Sequence, residues 1–446
     1  MSGFAKILKG VVKFRHGPRG PALKKLQDIK KHGHHATAVL FACMDARMTP
    51  LSFTQTEAGD MYIVRNGGNM IPSATHFGAC GDEMLVATEP AALDLTLKQG
   101  GLKHAIVCGH SNCKAMNALY QMHLHPKKFD ESSPLHHWVR KHGYVSLHKL
   151  EQRLKEGASC RLVFAENDRH QSFKALIDPE NELDVEDKLS QINTLQQMAN
   201  ITTHGFLAEI LKTKQADLHA FWFQVENAEM HIFSKKQHRF VIINEKTVDE
   251  LLDEISTGLG TLVRACGDEM LVATEPAALD LTLKQGGLKH AIVCGHSNCK
   301  AMNALYQMHL HPKKFDESSP LHHWVRKHGY VSLHKLEQRL KEGASCRLVF
   351  AENDRHQSFK ALIDPENELD VEDKLSQINT LQQMANITTH GFLAEILKTK
   401  QADLHAFWFQ VENAEMHIFS KKQHRFVIIN EKTVDELLDE VEHHKA

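Results

Sequence analysis

The sequence predicts an α/β fold, a central, mainly parallel sheet flanked by helices, followed by a truncated second copy of the same domain. Three observations predict it. Short apolar runs of strand length recur between segments of helical periodicity, the alternation that builds a parallel sheet. The runs are apolar throughout rather than at alternate residues, as strands covered on both faces are. Residues 79–254 also return, residue for residue, as residues 265–440, at a constant offset of 186 positions (265 − 79).

Taken in order, residues 39–42 form the first apolar run and residues 61–64 the second, bounded by Gly59-Asp60 and Gly67-Gly68. A helix opens with Thr88 as N-cap, tolerates Pro90 in its first turn and stops at Gly100-Gly101. Residues 104–108 make a third strand, and residues 114–120 a helix. Residues 161–165 are a further strand candidate. Residues 186–201 are helical, with Leu189, Ile192, Leu195 and Met198 spaced three to four apart. Residues 220–223 and 230–233 flank Glu226-Asn227-Ala228 as strand, turn and strand.

The repeat sets the domain organisation. Solenoid repeats keep a few packing positions and drift elsewhere. Here solvated pairs such as Lys127-Lys128 and Lys313-Lys314 are kept too. That marks either a recent partial duplication or a join made in the gene model. Residues 1–254 are expected to form a complete domain and residues 255–264 a joint. Residues 265–440 are the truncated repeat and residues 441–446 a tail. The repeat begins in mid-domain and lacks the first strand.

Charge and composition narrow the function. The 53 basic residues stand against 55 acidic ones, a formal net charge of −2. A dedicated nucleic-acid binder carries a basic excess or stripe instead. No run approaches the ~18 apolar residues of a membrane span, and no secretory signal opens the chain. Nine cysteines, an odd count, make a poor disulfide framework and point to a reducing compartment. The first acid is Asp28, whereas Lys6, Lys9, Lys13, Arg15, Arg19, Lys24 and Lys25 precede it. Phe4, Ile7, Leu8, Val11 and Phe14 fall roughly on one helical face. Such a start suits mitochondrial import; a cytoplasmic protein whose first helix packs on a domain has the same pattern.

Two short motifs carry the chemistry. Cys43-Met44-Asp45-Ala46-Arg47 follows the first strand, and His110-Ser111-Asn112-Cys113 follows the third. In open parallel sheets, ligands gather beyond the carboxyl ends of strands where strand order reverses. If these strands are neighbours there, both motifs meet in one crevice. His110 and Cys113, three apart at a helix start, can face one side. With Cys43 they make two thiolates and an imidazole, a donor set suited to Zn²⁺. Three protein ligands leave a fourth position open, the pattern of a catalytic zinc, which lowers the pKa of bound water to about 7. Arg47 can hold Asp45 by matched fork geometry, leaving Asp45 to accept a hydrogen bond at the metal. The nearer His-x-x-Cys segment is the expected partner of Cys43. Loop closure favours it over His296 and Cys299 by roughly 1.2 kcal/mol.

These motifs resemble those of β-class carbonic anhydrases, especially the animal form, which carry C-x-D-x-R and H-x-x-C. Residues 59–69, Gly-Asp-Met-Tyr-Ile-Val-Arg-Asn-Gly-Gly-Asn, are similar to a stretch lining that family's cleft, which implies cleft roles for Arg65, Asn66 and Gly68. Residues 89–93 and 185–197 also resemble animal members. The resemblance implies zinc on Cys43, His110 and Cys113, an Asp45–Arg47 dyad, and a closed, inactive state in which Asp45 moves onto the metal. It implies reversible hydration of carbon dioxide to bicarbonate, and assembly as a homodimer or, here, an intrachain pseudo-dimer. Ala46 stands where the family usually has Ser, Gly67 where Ala or Val is usual, and the segment around Ala79-Cys80-Gly81 is slightly altered.

The repeat keeps His296 and Cys299 but has no counterpart of Cys43, Asp45 or Arg47, so these two are read as vestigial. One zinc per chain is therefore expected, with no nucleic acid or membrane partner. Two rivals remain at this stage. One is hydrolysis of CS₂ or COS on the same site. The other, aimed chiefly at the repeat, is a non-catalytic zinc-binding or scaffold role.

Overall fold

The structure, a computed structural model, describes residues 3–33, 36–74, 87–166, 168, 171–257, 274–352, 354 and 357–443. The altered segment at Ala79-Cys80-Gly81 and most of the expected joint lie outside the described residues, as does the end of the tail. The chain divides into two compact units. One comprises residues 35–278 with residues 318–324; the other comprises residues 1–34, 279–317 and 325–446. This division differs from the sequence segments, because the N-terminal helices group with the repeat.

In chain order the elements begin with helices α1 (Gly3–His16) and α2 (Arg19–His32). Then come β1 (Ala38–Cys43), the short helix α3 (Pro50–Thr54), β2 (Met61–Asn66), α4 (Thr88–Leu93), β3 (His104–His110) and α5 (Lys114–Leu124). The long helix α6 (Pro134–Glu156) leads into β4 (Arg161–Phe164) and β5 (Phe173–Leu176). Helices α7 (Val185–Thr202) and α8 (Ala208–Lys212) precede the strands β6 (Asp217–Gln224), β7 (Glu229–Ser234) and β8 (Arg239–Ile242), and α9 (Val248–Thr257) closes this part.

The main sheet has the order β2-β1-β3-β6-β7-β8. Pairings β1–β2, β1–β3 and β3–β6 are parallel, and β6–β7 and β7–β8 are antiparallel. The chain leaves β1 toward β2 on one side and later toward β3 on the other. The carboxyl ends of β1 and β3 therefore flank a switch point in strand order, where a crevice forms. All six residues of β1 are buried, as its unbroken apolar run requires. The strand expected at residues 161–165 forms, but β4 pairs only with β5 in a separate two-stranded ribbon.

Helix α7 lies against β3 and β6 and is buried nearly all round. Several of its polar residues find partners in the interior. Ser190 Oγ donates to His110 O at 2.6 Å, Asn193 Nδ2 to Gly68 O at 2.9 Å, and Trp222 Nε1 donates to Ser190 Oγ at 3.1 Å. The close approach has a backbone cause. A Cβ on Gly109 would overlap the Thr194 hydroxyl, which is itself tied to Ser190 O at 2.8 Å. The first turn of α4 differs from expectation. Ala87, not Thr88, occupies the N-cap position, and the Thr88 hydroxyl donates instead to Glu275 at 2.7 Å.

In the repeat, α10 (Thr274–Leu279) is followed by β9 (His290–His296), α11 (Lys300–Leu310), α12 (Pro320–Glu342), β10 (Arg347–Phe350), β11 (Phe359–Leu362), α13 (Val371–Ile387), α14 (Ala394–Lys398), β12 (Asp403–Gln410), β13 (Glu415–Ser420), β14 (Arg425–Ile428) and α15 (Val434–His443). With no counterpart of β1 or β2, its sheet has four strands, β14-β13-β12-β9, and β9 is an edge. Helix α1 packs on this sheet. Phe4 and Leu8 are buried at 1% and 0% exposure among Phe407, Ile418, Ile429, Val434 and Leu437. Of the apolar face read from the sequence, Ile7 is exposed, whereas Val12, not on that face, packs inward.

The Gly109–Thr194 approach yields a test. Gly109→Ala should cost about 1–3 kcal/mol, the range for forcing an atom into a packed interior. A denaturant midpoint unchanged from the parent chain would show that α7 is not held against β3 by this contact.

Candidate metal centre

The parallel register places Ala42 opposite Cys108 and Cys43 opposite Asn66, so Cys43 ends β1 level with the end of β3. His110 is the last residue of β3 rather than part of a helix start. The chain then turns through Asn112, at φ 53°, and Cys113 takes the N-cap position of α5. That left-handed turn brings His110 and Cys113 to the same side. Asn112 N–H donates to Asp187 Oδ1 at 2.6 Å, and Ser111 Oγ donates to Glu226 Oε2 at 2.5 Å, which pins the turn from two sides.

Cys43, His110 and Cys113 converge, with potential ligand atoms all within 4.8 Å of one another and all three residues buried. The two sulfurs are 4.0 Å apart. A tetrahedral site with zinc–sulfur bonds of about 2.3 Å has a sulfur–sulfur edge of roughly 3.8 Å. The imidazole fits as well. His110 Nδ1 donates to Ser111 O at 2.7 Å, which leaves Nε2 buried without a hydrogen-bond partner. A fixed Nδ1–H and an unpaired Nε2 make the tautomer a metal ligand needs. The donor set and geometry therefore fit Zn²⁺.

The electrostatics of the three side chains agree. The hydrogen bond from Cys43 pulls the Cys113 thiol down toward thiolate, while the same contact and burial push Cys43 up. Burial opposes the His110 imidazolium, but the Cys43 sulfur beside it outweighs burial and raises the ring's pKa. Three groups compete for protons in one buried pocket, and a dication resolves that competition.

Asp45 is not among the converging ligands, because Arg47 holds it. Arg47 Nε and Nη2 meet the two carboxylate oxygens at 2.9 and 2.8 Å, and the Arg47 backbone N–H adds a third bond at 2.9 Å. Arg47 Nη2 also donates to Asn112 O at 2.9 Å, tying the two motifs together. The Arg47 hydrogen bonds hold the Asp45 carboxyl down at about 2 despite partial burial. Arg65 braces the same loop, through Nε to Cys43 O at 3.1 Å and Nη2 to Asp45 O at 2.7 Å.

A carbonic anhydrase family profile matches residues 38–230 and again residues 259–416. This chain belongs to the carbonic anhydrase family. It is similar to "Beta carbonic anhydrase 1" of Caenorhabditis elegans, 50% identical over 251 residues, covering 56% of this chain and 92% of the relative. It is also similar to "Beta carbonic anhydrase 1" of Caenorhabditis briggsae, 46% identical over 250 residues with the same coverage. Among solved structures it is similar to that of the β-carbonic anhydrase CcaA, at 23% identity and a TM-score of 0.42, covering 55% of this chain and 94% of that one. The β-class membership carries the activity, reversible hydration of carbon dioxide, and zinc as the family's metal.

The other expected residues of this carbonic anhydrase are placed as follows. Asn66 turns inward at 1% exposure, its amide donating to Met70 O at 2.7 Å and to Glu89 Oε1 at 2.8 Å. Gly68 sits at φ 84°, and Trp138 Nε1 donates to Gly67 O at 2.9 Å. Asp187, Glu226, Ser190 and Asn193 hold the site's backbone and carry no role in the sequence reading. For the three on α7 the signal was a helix with polar residues on every face, which is buried only if those groups find partners.

In the repeat the scaffold persists. Asn298 N–H donates to Asp373 at 2.7 Å, Ser297 Oγ to Glu412 at 2.5 Å and Ser376 Oγ to His296 O at 2.6 Å. Without a β1 counterpart His296 is exposed and Cys299 half-buried. Their mutual hydrogen bond raises His296 to about 9. Among the described residues, the repeat adds no second three-ligand cluster.

Glu89 gives a pH test. Burial pushes its carboxyl up to about 7, while hydrogen bonds from Thr274 and Asn66 partly oppose this. The folded state thus binds the proton more tightly than the unfolded chain, whose pKa is about 4.3. The stability this lends is full below about pH 4.3 and is lost as pH rises through about 7. The parent chain should therefore lose roughly 3 kcal/mol relative to Glu89→Gln between pH 4.5 and 8. Parallel stability curves for the two proteins would contradict the buried-acid assignment.

Proposed function

We propose that carbon dioxide hydration in this chain is carried by the first copy alone, with one zinc per chain on Cys43, His110 and Cys113. The observation that supports this most is the buried three-ligand cluster with its unpaired His110 Nε2. Three protein ligands leave one coordination position open. When bound, zinc there supplies a Lewis acid that brings the pKa of water to about 7.

The chain's own residues supply orientation. Asp45 stays ionised across the working range, because its carboxyl is held at about 2. A carboxylate that cannot take the proton can only accept a hydrogen bond, which aims the donor's remaining lone pair. Arg47 keeps Asp45 in that position, and release by Arg47 would free it to occupy the open position, the inactive state. Ser111, Asn112 and Asp187 keep the His-x-x-Cys turn rigid. The CS₂ or COS reading gains nothing from relatives that are named carbonic anhydrases.

The repeat is proposed to be a metal-free half of an intrachain pseudo-dimer. Thr88 donates to Glu275 at 2.7 Å, and Thr274 donates to Glu89 at 2.6 Å. Thr274 and Glu275 are the repeat's counterparts of Thr88 and Glu89, so each threonine donates to the glutamate of the other copy. The basic, acid-free first 27 residues also support delivery to mitochondria, which subcellular fractionation tests.

Metal analysis and CO₂ hydration assays on one variant set test the proposal. Cys43→Ser should remove both zinc and activity, Cys299→Ser should keep both, and Asp45→Asn should keep zinc but lose most activity. Two tightly held zinc ions per chain, or equal loss of metal and activity in Asp45→Asn, would contradict it.

A further inference from the structure

The duplication sets one cysteine–histidine pair in two surroundings. In the first copy His110 and Cys113 are 0% and 1% exposed, and the Cys43 sulfur lies 4.0 Å from that of Cys113. Both side chains are committed to the three-donor cluster. In the repeat the same turn forms, with Asn298 at φ 55° and Cys299 at the N-cap of α11. His296 Nδ1 donates to Ser297 O at 2.8 Å, and the ring is also hydrogen-bonded to the Cys299 sulfur. Among the described residues no third donor joins them. Cys299 is half-buried and His296 exposed, so the pair is open to small solutes.

The thiolate, not the thiol, is the nucleophile, and a neighbouring imidazolium and a helix N-terminus both favour it. Cys299 has both. Burial works against its charged form, but His296 and the N–H groups of Met302 and Ala301 outweigh burial and draw the thiol below its ordinary value. Those N–H groups belong to the first turn of the 11-residue helix α11. The same contact keeps His296 protonated at neutral pH. Exposure alone does not do this. Cys294, exposed on the same strand, donates to Gly295 O, and burial raises its thiol instead. The charges behind the turn are acidic. Asp373 accepts from Asn298 N–H at 2.7 Å and favours the imidazolium, and Glu412 accepts from Ser297 Oγ at 2.5 Å and meets Lys30 at 3.4 Å. Two carboxylates repel anionic reagents such as glutathione disulfide, which favours a small neutral electrophile.

We propose that Cys299, hydrogen-bonded to His296, is a peroxide-reactive site of the repeat, where hydrogen peroxide oxidises the sulfur to a sulfenic acid. The Cys299 thiolate attacks one peroxide oxygen. The S–O bond forms as the O–O bond breaks, and the leaving hydroxide takes the proton of the His296 imidazolium and departs as water. The sulfur loses two electrons and the peroxide gains them, so Cys299 thiolate, His296 imidazolium and H₂O₂ become sulfenic acid, neutral imidazole and water. A sulfenic acid condenses with a thiol to a disulfide, so the change is reversible. Loss of the β1 counterpart, which ends metal binding in the repeat, is what opens this sulfur to the oxidant. In the first copy burial and the Cys43 contact close the same sulfur off.

Hydrogen peroxide with dimedone, which traps sulfenic acids, applied to the zinc-loaded full-length chain and read by intact mass, tests the site. Residues 104–114 recur as residues 290–300, so peptides from the two copies coincide and the adduct is assigned by variants. One adduct per chain is expected, lost in Cys299→Ser and kept in Cys294→Ser. His296→Gln should slow its formation roughly tenfold, because it removes both the charge that holds the thiolate and the acid that protonates the leaving hydroxide. An adduct that survives Cys299→Ser, one that disappears in Cys294→Ser, or one that forms as fast in His296→Gln as in the parent chain overturns the proposal. Absence of any adduct in the parent chain overturns it as well.

Discussion

The parallel pairing of β1 with β3 is the contact on which the metal site depends, because neither strand carries a full ligand set. β1 ends in Cys43 and β3 in His110, and the hydrogen-bonded register fixes how far apart those ends lie. The turn after β3 adds Cys113, and Arg47 then spans from Asp45 to Asn112 O across the gap. Each step rests on the one before it. A one-residue slip would send alternate side chains to the opposite face and separate the sulfurs. The packing behind the strands guards against such a slip. Gly109 admits Thr194 against β3, Ser190 holds His110 O, and Trp222 holds Ser190.

The repeat is an internal control for that dependence. It has the same β3-type strand, the same turn, the same buried acid behind Asn298 and the same serine under His296. What it lacks is the neighbouring strand. The consequence is chemical as well as structural. His110 and Cys113 are fully buried against Cys43, whereas His296 is exposed and has Cys299 but no second thiol beside it. Two donors open to water hold a metal weakly, because each must be desolvated and ordered without a third to share that cost. Identical local sequence thus gives a closed three-donor pocket in one place and a more open two-donor pair in the other.

Much of this was legible in the sequence where the physics is local. Apolar runs in β1 and β3 announced buried parallel strands, and the spacing of Cys43, His110 and Cys113 after them announced a shared crevice. Arg47 and Asp45 could be paired from fork geometry alone. The polar face of α7 was less legible, because Ser190, Asn193 and Asp187 are ordinary surface residues until the helix is known to be buried. Thr88 misled for a related reason. Its residue type favours an N-cap, but the hydroxyl is used by Glu275, a partner 187 positions away. The docking place of α1 was not legible in the sequence. Two surfaces of the same residues are equally good hosts for Phe4 and Leu8, and only the folded chain distinguishes them.

The central claim is that β1 draws its metal partners from β3 and not from the identical strand of the repeat. His110→Ala and His296→Ala, each assayed for bound zinc and for CO₂ hydration, test it directly. The account predicts that His110→Ala loses both zinc and activity while His296→Ala keeps both near the level of the parent chain. Retention of activity in His110→Ala with loss in His296→Ala would show that Cys43 is paired with the repeat and would contradict it.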